Sequence, residues 1–394
     1  MTKVNPELIK DIRKYGAFDI SACFNCGNCT AICPLAKEDT PFPRYLIRRA
    51  HVGDKKAVLT SKGTWMCYYC GECSKTCPRE AKPGAFMAAA RRYAIANADV
   101  TGITKLLYKY PVFNFIFMTA RAMFFALFMY ANRLADKAHG KIIEVFNIPF
   151  EHIHVLGVVL LSAAGVTMLL GMLLITLRAG EISKLGLIYK ESKAPGKGIK
   201  FIIEFISTAF MSVMREMFAF KRFRDCDEEK KEIPLMFKPW FLHACVAWGF
   251  MGLFGATVID FLFKDPAMMV ALWYPPRLLG TISGLFLIYG STAIIINRLR
   301  QKEINYSNGT FSDWWFILTL WFIGVTGFVL EVLVYLPKVN QDTADILFLV
   351  HVAPAMELVV MAAFTKLAHV FYRMHALFIY ELTSNFKFQV PNSK

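Results

Sequence analysis

The chain has 394 residues, 56% of them hydrophobic, 14% aromatic and 19% charged, with a mean hydropathy of +0.40, which excludes a disordered, collagen-like or coiled-coil chain and an ordinary soluble globule. Ten cysteines are too few for a disulfide scaffold, and eight of them fall in two windows of eleven residues, so they have to be read locally. The formal net charge of +15 invites a nucleic-acid partner, but in so apolar a chain it is first set against the hydrophobic segments.

Residues 1–22 contain no apolar h-region and no cleavage site, so no secretory leader is expected. Up to residue 105 there are 17 Lys/Arg, 9 Asp/Glu and eight cysteines, and no apolar run approaches the roughly 20 residues that a membrane-spanning helix needs. Residues 1–105 are therefore expected to form a small soluble domain. Its first cysteine window reads CFNCGNCTAICP from Cys23 and its second CYYCGECSKTCP from Cys67, the same CxxCGxCxxxCP repeated at an offset of 44 residues.

Three cysteines at successive spacings of three wrap a short loop around one face of an iron–sulfur cubane. The fourth, followed by Pro34 or Pro78, is directed away and reaches the other cluster. The expected ligand sets are crossed: Cys23, Cys26, Cys29 and Cys77 for one [4Fe-4S] cluster, and Cys67, Cys70, Cys73 and Cys33 for the second. Structural zinc uses two separated CxxC pairs, which would leave two cysteines of each run surplus, and a reducing cytoplasm disfavours disulfides. Gly27 and Gly71 suit a backbone that comes close to the inorganic core or takes a positive φ. Between the windows, PFPRYLIRRA (41–50) is a proline-led helix, and 84–98 is an alanine-rich one.

From residue 106 to 394 the chain reads as a membrane domain. Five spans are expected at Val155–Leu177, Trp240–Phe263, Leu278–Asn297, Trp314–Leu336 and Ile346–Phe371, with a sixth, Tyr110–Ala131, interrupted by Arg121. With six spans, the segments on the side of both termini carry 18 Lys/Arg and the opposite loops 6. The positive-inside bias thus puts both termini and the cysteine domain in the cytoplasm, and much of the net charge becomes a topology signal. The segment 200–222 has a ten-residue apolar run, Phe205–Met214, bracketed by Glu204, Arg215, Glu216, Lys221 and Arg222. It reads as an amphipathic helix on the membrane surface, or as a helix that covers the soluble domain or a partner. The expected fold class is all-α: an α-helical two-cluster ferredoxin domain followed by a six-span cytochrome b bundle.

His351 and His369 lie 18 residues apart in the last expected span, about five helical turns and about 27 Å. A single helix offering one axial imidazole to each of two stacked b haems would be spaced in this way. His243 matches the depth of His369 on the cytoplasmic side; His152 and His154 match His351 on the outer side. Membrane-embedded ionisable groups are costly and usually functional, and haem iron accepts neutral imidazole. The expected pairs are His243 with His369, and His351 with His154, for which His152 is the alternative. Roles as packing or interfacial residues are the alternative for each. His51, His139 and His375 are assigned structural or solvated roles; Cys226 and Cys245, which match no cluster spacing, are assigned structural ones. Glu331 and Glu357 are candidate proton relays, and Lys366 and Arg373 candidate partners of haem propionates. Gly249, Gly252 and Gly255 fit either a close haem or tight helix packing.

The proline-led helix, the TWMC entry to the second window and the doubled cysteine motif resemble the α-helical ferredoxin that forms the C-subunit of heterodisulfide reductase, over about a quarter of the chain. The membrane half resembles two kinds of cytochrome b, the gamma-subunit of nitrate reductase and the E-subunit of heterodisulfide reductase, whose last span carries two haem ligands. It departs from the nitrate reductase relatives at Leu253, where a second histidine of the His243 span would fall. The joining of the two halves resembles the quinone-interacting membrane-bound oxidoreductase family. That resemblance implies one or two b haems, menaquinone or another quinone as substrate near the outer haem, and flavin-containing heterodisulfide-reductase-A-like soluble partners. It further implies adenylylsulfate reductase downstream in sulfate respiration. The competing readings are a self-contained iron–sulfur reductase, against which no nucleotide fingerprint or spare catalytic dyad is present, and a transporter with a regulatory iron–sulfur domain, against which no inverted repeat is visible.

Overall fold

The computed structural model describes residues 4–17, 20–37, 40–134, 144–145, 148–193, 198–227, 232–263, 273–301, 304–307, 309–333 and 341–389. The fold is all-α. Among the described residues the regular β structure is a two-residue antiparallel pair, Glu144–Val145 with Ile148–Pro149.

The first eight helices build the cysteine domain: α1 (Leu8–Arg13), α2 (Asn28–Ala31), α3 (Arg44–His51), α4 (Lys55–Thr60), α5 (Lys62–Met66), α6 (Glu72–Lys75), α7 (Pro83–Ala98) and α8 (Ile103–Lys109). Their boundaries follow local chemistry. Asp54 caps α4 by accepting from the Ala57 N–H at 3.0 Å, and Ser61 caps α5 by accepting from Gly63 at 3.2 Å. Proline opens α7 at its first position, where its missing N–H costs nothing. The alanine-rich α7 is the domain's central helix, because small side chains let α1, α4 and α5 approach it closely; Trp65, Phe86, Met87, Leu8 and Phe42 are buried around it.

The second half begins with α9 (Pro111–Leu134), which runs without interruption through Arg121, and α10 (Phe150–Ala179). Three further helices follow: α11 (Glu181–Ser192), α12 (Gly198–Ala219) and α13 (Lys221–Asp227). The remainder is α14 (Pro239–Phe263), α15 (Pro275–Leu299), α16 (Ile304–Ser307), α17 (Phe311–Leu333), α18 (Gln341–Val360) and α19 (Ala368–Gln389). Among the described residues, four helices are long and apolar enough to cross a membrane: Gly157–Ala179, Pro239–Asp260, Pro275–Leu299 and Phe311–Leu333. The other two expected spans contain shorter apolar helical stretches, Pro111–Phe124 and Ile346–Val360. The last three residues of the expected span 314–336 lie outside the described residues, as does His139.

The expected continuous span 346–371 needs correction. The chain breaks between α18 and α19, where Phe364 donates to Met361, Ala368 to Thr365 and His369 to Lys366, all three-residue turns tighter than an α-helix. The physical reason is visible at Lys366. A charge inside an apolar run is costly, and the tightened turns bring its ammonium to Asp313 of α17 at 2.7 Å. His351 and His369 therefore sit on two helices, and the five-turn helical phase does not relate them.

Helix packing explains two of the three glycines in the His243 span. A Cβ on Gly249 would lie 2.6 Å from the Leu287 nitrogen and one on Gly252 2.0 Å from the Ser283 hydroxyl, so both carry the close crossing of α14 and α15; Gly255 faces open space. Helix α12 takes a position between its two expected roles. Phe205, Ala209, Val213 and Glu216 share one buried face, which packs on α19 through Phe378 and Leu382. Ile199, Ile203, Phe210 and Phe218 stay exposed on the rest of the helix, which suits a membrane surface.

The cysteine domain is not a tethered globule. One continuous apolar core runs from Leu8, Trp65 and Phe86 into Met168 of α10, Ala244 of α14 and Tyr372 of α19. It sits on the helix ends that the loop-charge bias assigns to a single side: Arg178 at the end of α10 donates to the Asn97 carbonyl, and Arg92 of α7 pairs with Asp313 at the start of α17 at 2.8 Å.

Candidate functional site

Both cysteine loops fold in the same way. Asn25 and Tyr69, each just before the second cysteine of its motif, have φ of 60°, and the following Gly27 and Gly71 have φ of 95° and 93°. Glycine adopts such a backbone without strain. The turn aims the Asn25 N–H at the Cys23 Sγ and the Tyr69 N–H at the Cys67 Sγ, 3.4 Å in each case, a favourable arrangement for sulfur that carries negative charge. Asn28 donates to the Thr76 carbonyl at 2.7 Å and Arg79 to the Ala22 carbonyl at 3.4 Å, which draws the end of the second motif towards the first loop.

The thiols are grouped accordingly. Cys29 lies within electrostatic reach of Cys23, Cys26 and Cys77; Cys33 lies within reach of Cys67 and Cys70; Cys73 feels Cys67 and Cys70 first, then Cys29 and Cys33. Burial pushes the Cys29 thiol up to about 11, the Cys33 thiol up to about 12, and those of Cys67 and Cys73 upward. Such thiols become thiolates when bound iron supplies compensating charge. Among the described residues no three Cys, His, Asp or Glu side chains converge as one metal ion would require. A four-iron core spreads its ligands, one to each iron, and the donor set, spacing and N–H groups present fit it.

Cys226 has a position that the sequence does not mark. It is buried, lines the same cavity as Cys33, Cys67, Cys70 and Cys73, and its thiol meets that of Cys70. No spacing rule marks it, because α13 brings it there from more than 150 positions further along the chain. Cys245 packs in the core beside Gly290.

The second cysteine loop is joined to the membrane half by a chain of contacts. Tyr68 stacks on Phe223 with centroids 5.0 Å apart, and Phe223 and Phe220 meet the His243 imidazole edge-on at 5.8 and 5.4 Å. Arg373 of α19 lies 3.6 Å over the Tyr68 ring and donates to the Cys67 and Met66 carbonyls at 3.2 and 3.1 Å. Lys366 and Arg373 are thus engaged with protein groups. Arg91 donates to the Thr64 carbonyl at 3.0 Å and to that of Cys67, and burial beside Arg373 pulls it down to about 10. Tyr68 donates to the Glu216 carboxylate, and burial pushes its phenol upward.

The imidazoles of His243 and His369 lie within electrostatic reach of each other. His369 directs Nδ1 at the Lys366 carbonyl. A carbonyl only accepts, so Nδ1 carries the hydrogen and the Nε2 lone pair is left for a metal. His351 has the same polarity: Thr326 spends its hydroxyl hydrogen on the Phe322 carbonyl at 2.8 Å and accepts from the His351 Nδ1 at 3.1 Å. His152 and His154 are on α10, but their side chains lie outside the described residues. His375 bonds Thr176 at 2.8 Å and His51 bonds the Ile47 carbonyl at 2.9 Å, both structural contacts.

Fold and site together define an iron–sulfur electron-transfer domain built onto membrane-type helices. Residues 19–81 match the 4Fe-4S dicluster domain family. The same region is similar to the C-subunit of the H(2):CoB-CoM heterodisulfide,ferredoxin reductase of Methanothermobacter thermautotrophicus, 33% identical over 91 residues, 23% of this chain and 49% of that protein. It is also similar to a protein of Archaeoglobus profundus that is itself named for its likeness to the heterodisulfide reductase C-subunit, 31% identical over 115 residues, 28% of this chain and 61% of that protein. The C-subunit of the ferredoxin:CoB-CoM heterodisulfide reductase of Methanosarcina acetivorans is 35% identical over 86 residues, 22% of this chain and 34% of that protein. The chain spans about half the length of the first two curated relatives it matches. No solved structure matches.

Proposed function

We propose that the chain is the membrane electron-transfer subunit of a quinone oxidoreductase complex, joining a quinone pool to a soluble flavin-containing partner. The observation that carries this reading is the unbroken contact from Cys67 through Tyr68 and Phe223 to His243, which seats the second cysteine set directly on a histidine-bearing membrane bundle. Cys23, Cys26, Cys29 and Cys77 hold one [4Fe-4S] cluster; Cys67, Cys70, Cys73 and Cys33 hold the other. His243 and His369 would hold a b haem, His369 through Nε2, and His351 with His154 would hold a second. When bound, these groups supply one-electron exchange. The chain's own residues fix the ligands, as Arg373 and Arg91 do at the Cys67 carbonyl, and keep water from the junction. In balance, a quinol releases two electrons and two protons, and the soluble partner takes both electrons; the reverse flow reduces quinone.

The arrangement resembles the membrane subunit of the quinone-interacting membrane-bound oxidoreductase complex. The partners are then heterodisulfide-reductase-A-like proteins, with adenylylsulfate reductase beyond them, and the place is a cytoplasmic membrane with both termini and the cluster domain inside. Optical and metal analysis of the purified chain tests the reading. It should show about eight iron atoms beyond haem iron and a b-type spectrum on reduction with dithionite. Stoichiometric zinc, or a reduced spectrum without haem, overturns it.

A further inference from the structure

Two largely buried cations converge on the second cysteine loop. The Cys67 carbonyl accepts from Arg373 of α19 at 3.2 Å and also from Arg91 of α7. The same guanidiniums reach the Met66 carbonyl at 3.1 Å and the Thr64 carbonyl at 3.0 Å. Arg373 is 9% exposed, and Arg91, which loses water on burial, is opposed further by the Arg373 charge. Among the described residues neither has an acidic side chain within ion-pair distance. Glu216, the buried carboxylate beside Tyr68, is taken up by the Tyr68 hydroxyl and by the Arg222 N–H at 3.2 Å. Carbonyls satisfy the hydrogen bonds of a guanidinium but not its charge, and two like charges held together away from water are costly.

The first cysteine loop supplies the comparison. It has the same motif, the same left-handed backbone at Asn25 and Gly27, and the same 3.4 Å approach of an N–H to its leading sulfur. Hydrogen bonding to that sulfur therefore does not separate the two sites. There is even an arginine at the matching place: Arg79 donates to the Ala22 carbonyl at 3.4 Å as Arg373 does to that of Met66, each acceptor being the residue before the first cysteine. Arg79 is exposed, however, as is Arg44 beside Gly27, and water and salt screen an exposed charge. What distinguishes the second site is shielded positive charge. A four-iron core with four thiolates is anionic and its reduction adds a further negative charge, which a shielded cation favours. We propose that Arg91 and Arg373 are the counter-charges of the second cluster and raise its midpoint potential. Arg373 lies 306 positions after Cys67 and four after His369, so a helix of the membrane half tunes a centre seated in the cysteine domain. The inference rests on the two-cluster reading above and assigns it two further residues.

Redox titration of the full chain, purified with its metal centres and followed by paramagnetic resonance, tests this. Arg373→Met and Arg91→Met should each make one of the two clusters about tenfold or more harder to reduce, a midpoint lower by about 59 mV, and leave the other cluster at its parental value. Arg373→Lys keeps the charge but not the paired hydrogen bonds and should hold both midpoints close to the parent. Should Arg373→Met fail to assemble, Arg91→Met decides. Parental midpoints in the methionine variants overturn the assignment. Equal shifts of both clusters overturn it too, as the mark of a general disturbance, and so does a lysine variant that shifts like the methionine one, which would trace the effect to hydrogen bonds. In these cases the two-cluster reading stands. A parent chain with iron for a single cluster overturns that reading, and the assignment with it.

Discussion

Replacing Asp313 by alanine removes the anion that joins the cysteine domain to the membrane helices. Its carboxylate, 5% exposed, receives Arg92 at 2.8 Å and Lys366 at 2.7 Å, together with the Thr310 N–H and hydroxyl at 3.0 Å each. Breaking a buried pair costs about 3–5 kcal/mol because a buried cation is left behind. Lys366 is about a third exposed and is partly rescued by water, so the lower half of that range applies. About 3–4 kcal/mol corresponds to a rise of roughly 10²–10³ in the undocked population, at 1.4 kcal/mol per factor of ten. Hydrogen–deuterium exchange reads this at α7 and at the first turn of α17, where amides that exchange only on undocking should speed up by that factor. Arg92→Met, Asp313→Leu and Lys366→Met combined with Arg298→Met, the remaining cation that acts on this carboxylate, remove every charge and should recover most of the protection. Unchanged exchange in Asp313→Ala would refute the assignment of docking energy to this carboxylate.

Crossed ligation predicts that Cys33→Ser damages the cluster built on Cys67, Cys70 and Cys73; paramagnetic resonance showing loss of the neighbouring Cys23 cluster instead would refute the crossing. His369→Ala and His243→Ala should each abolish the same b-type signal and quinol-driven cluster reduction while dithionite still reduces the clusters, and His351→Ala should remove a separate haem signal. Three variants with the full parental spectrum would return these histidines to packing roles. Cys226→Ala should retain all the iron but lower the midpoint potential of the second cluster, since a thiol donor to a ligand sulfur stabilises the reduced state; an unchanged midpoint in a redox titration would show the contact to be mere packing.

The cysteine repeat was legible because ligand spacing within a short loop is a local property, and the same local rule exposed Gly27 and Gly71. The four helices long and apolar enough to span a membrane among the described residues were legible because a bilayer imposes length and hydropathy on a helix without regard to its neighbours. The break at 361–367 was not, since an apolar run with one lysine reads as a helix until Asp313, some fifty residues earlier, is known to face that lysine. Cys226 and Glu216 escaped for the same reason: their partners, Cys70 and Tyr68, are set by packing across the junction. Gly249 and Gly252 were ambiguous between haem and helix because both demand a missing Cβ, and only the crossing with α15 separates them.

The wall of the second cysteine cavity has a bearing on how the molecule is made. Cys33 to Cys73 leave the ribosome first, but the cavity is closed by Cys226 and buttressed by Phe223, Glu216 and Arg373, residues translated 140 to 300 positions later. Until then the site is an open bowl on a nascent domain whose apolar underside, continuous with α10, α14 and α19, has nothing to rest on. A cluster at the second site would thus have to be inserted before α19 docks, whereas the first site keeps Cys26 exposed at the surface of the folded chain.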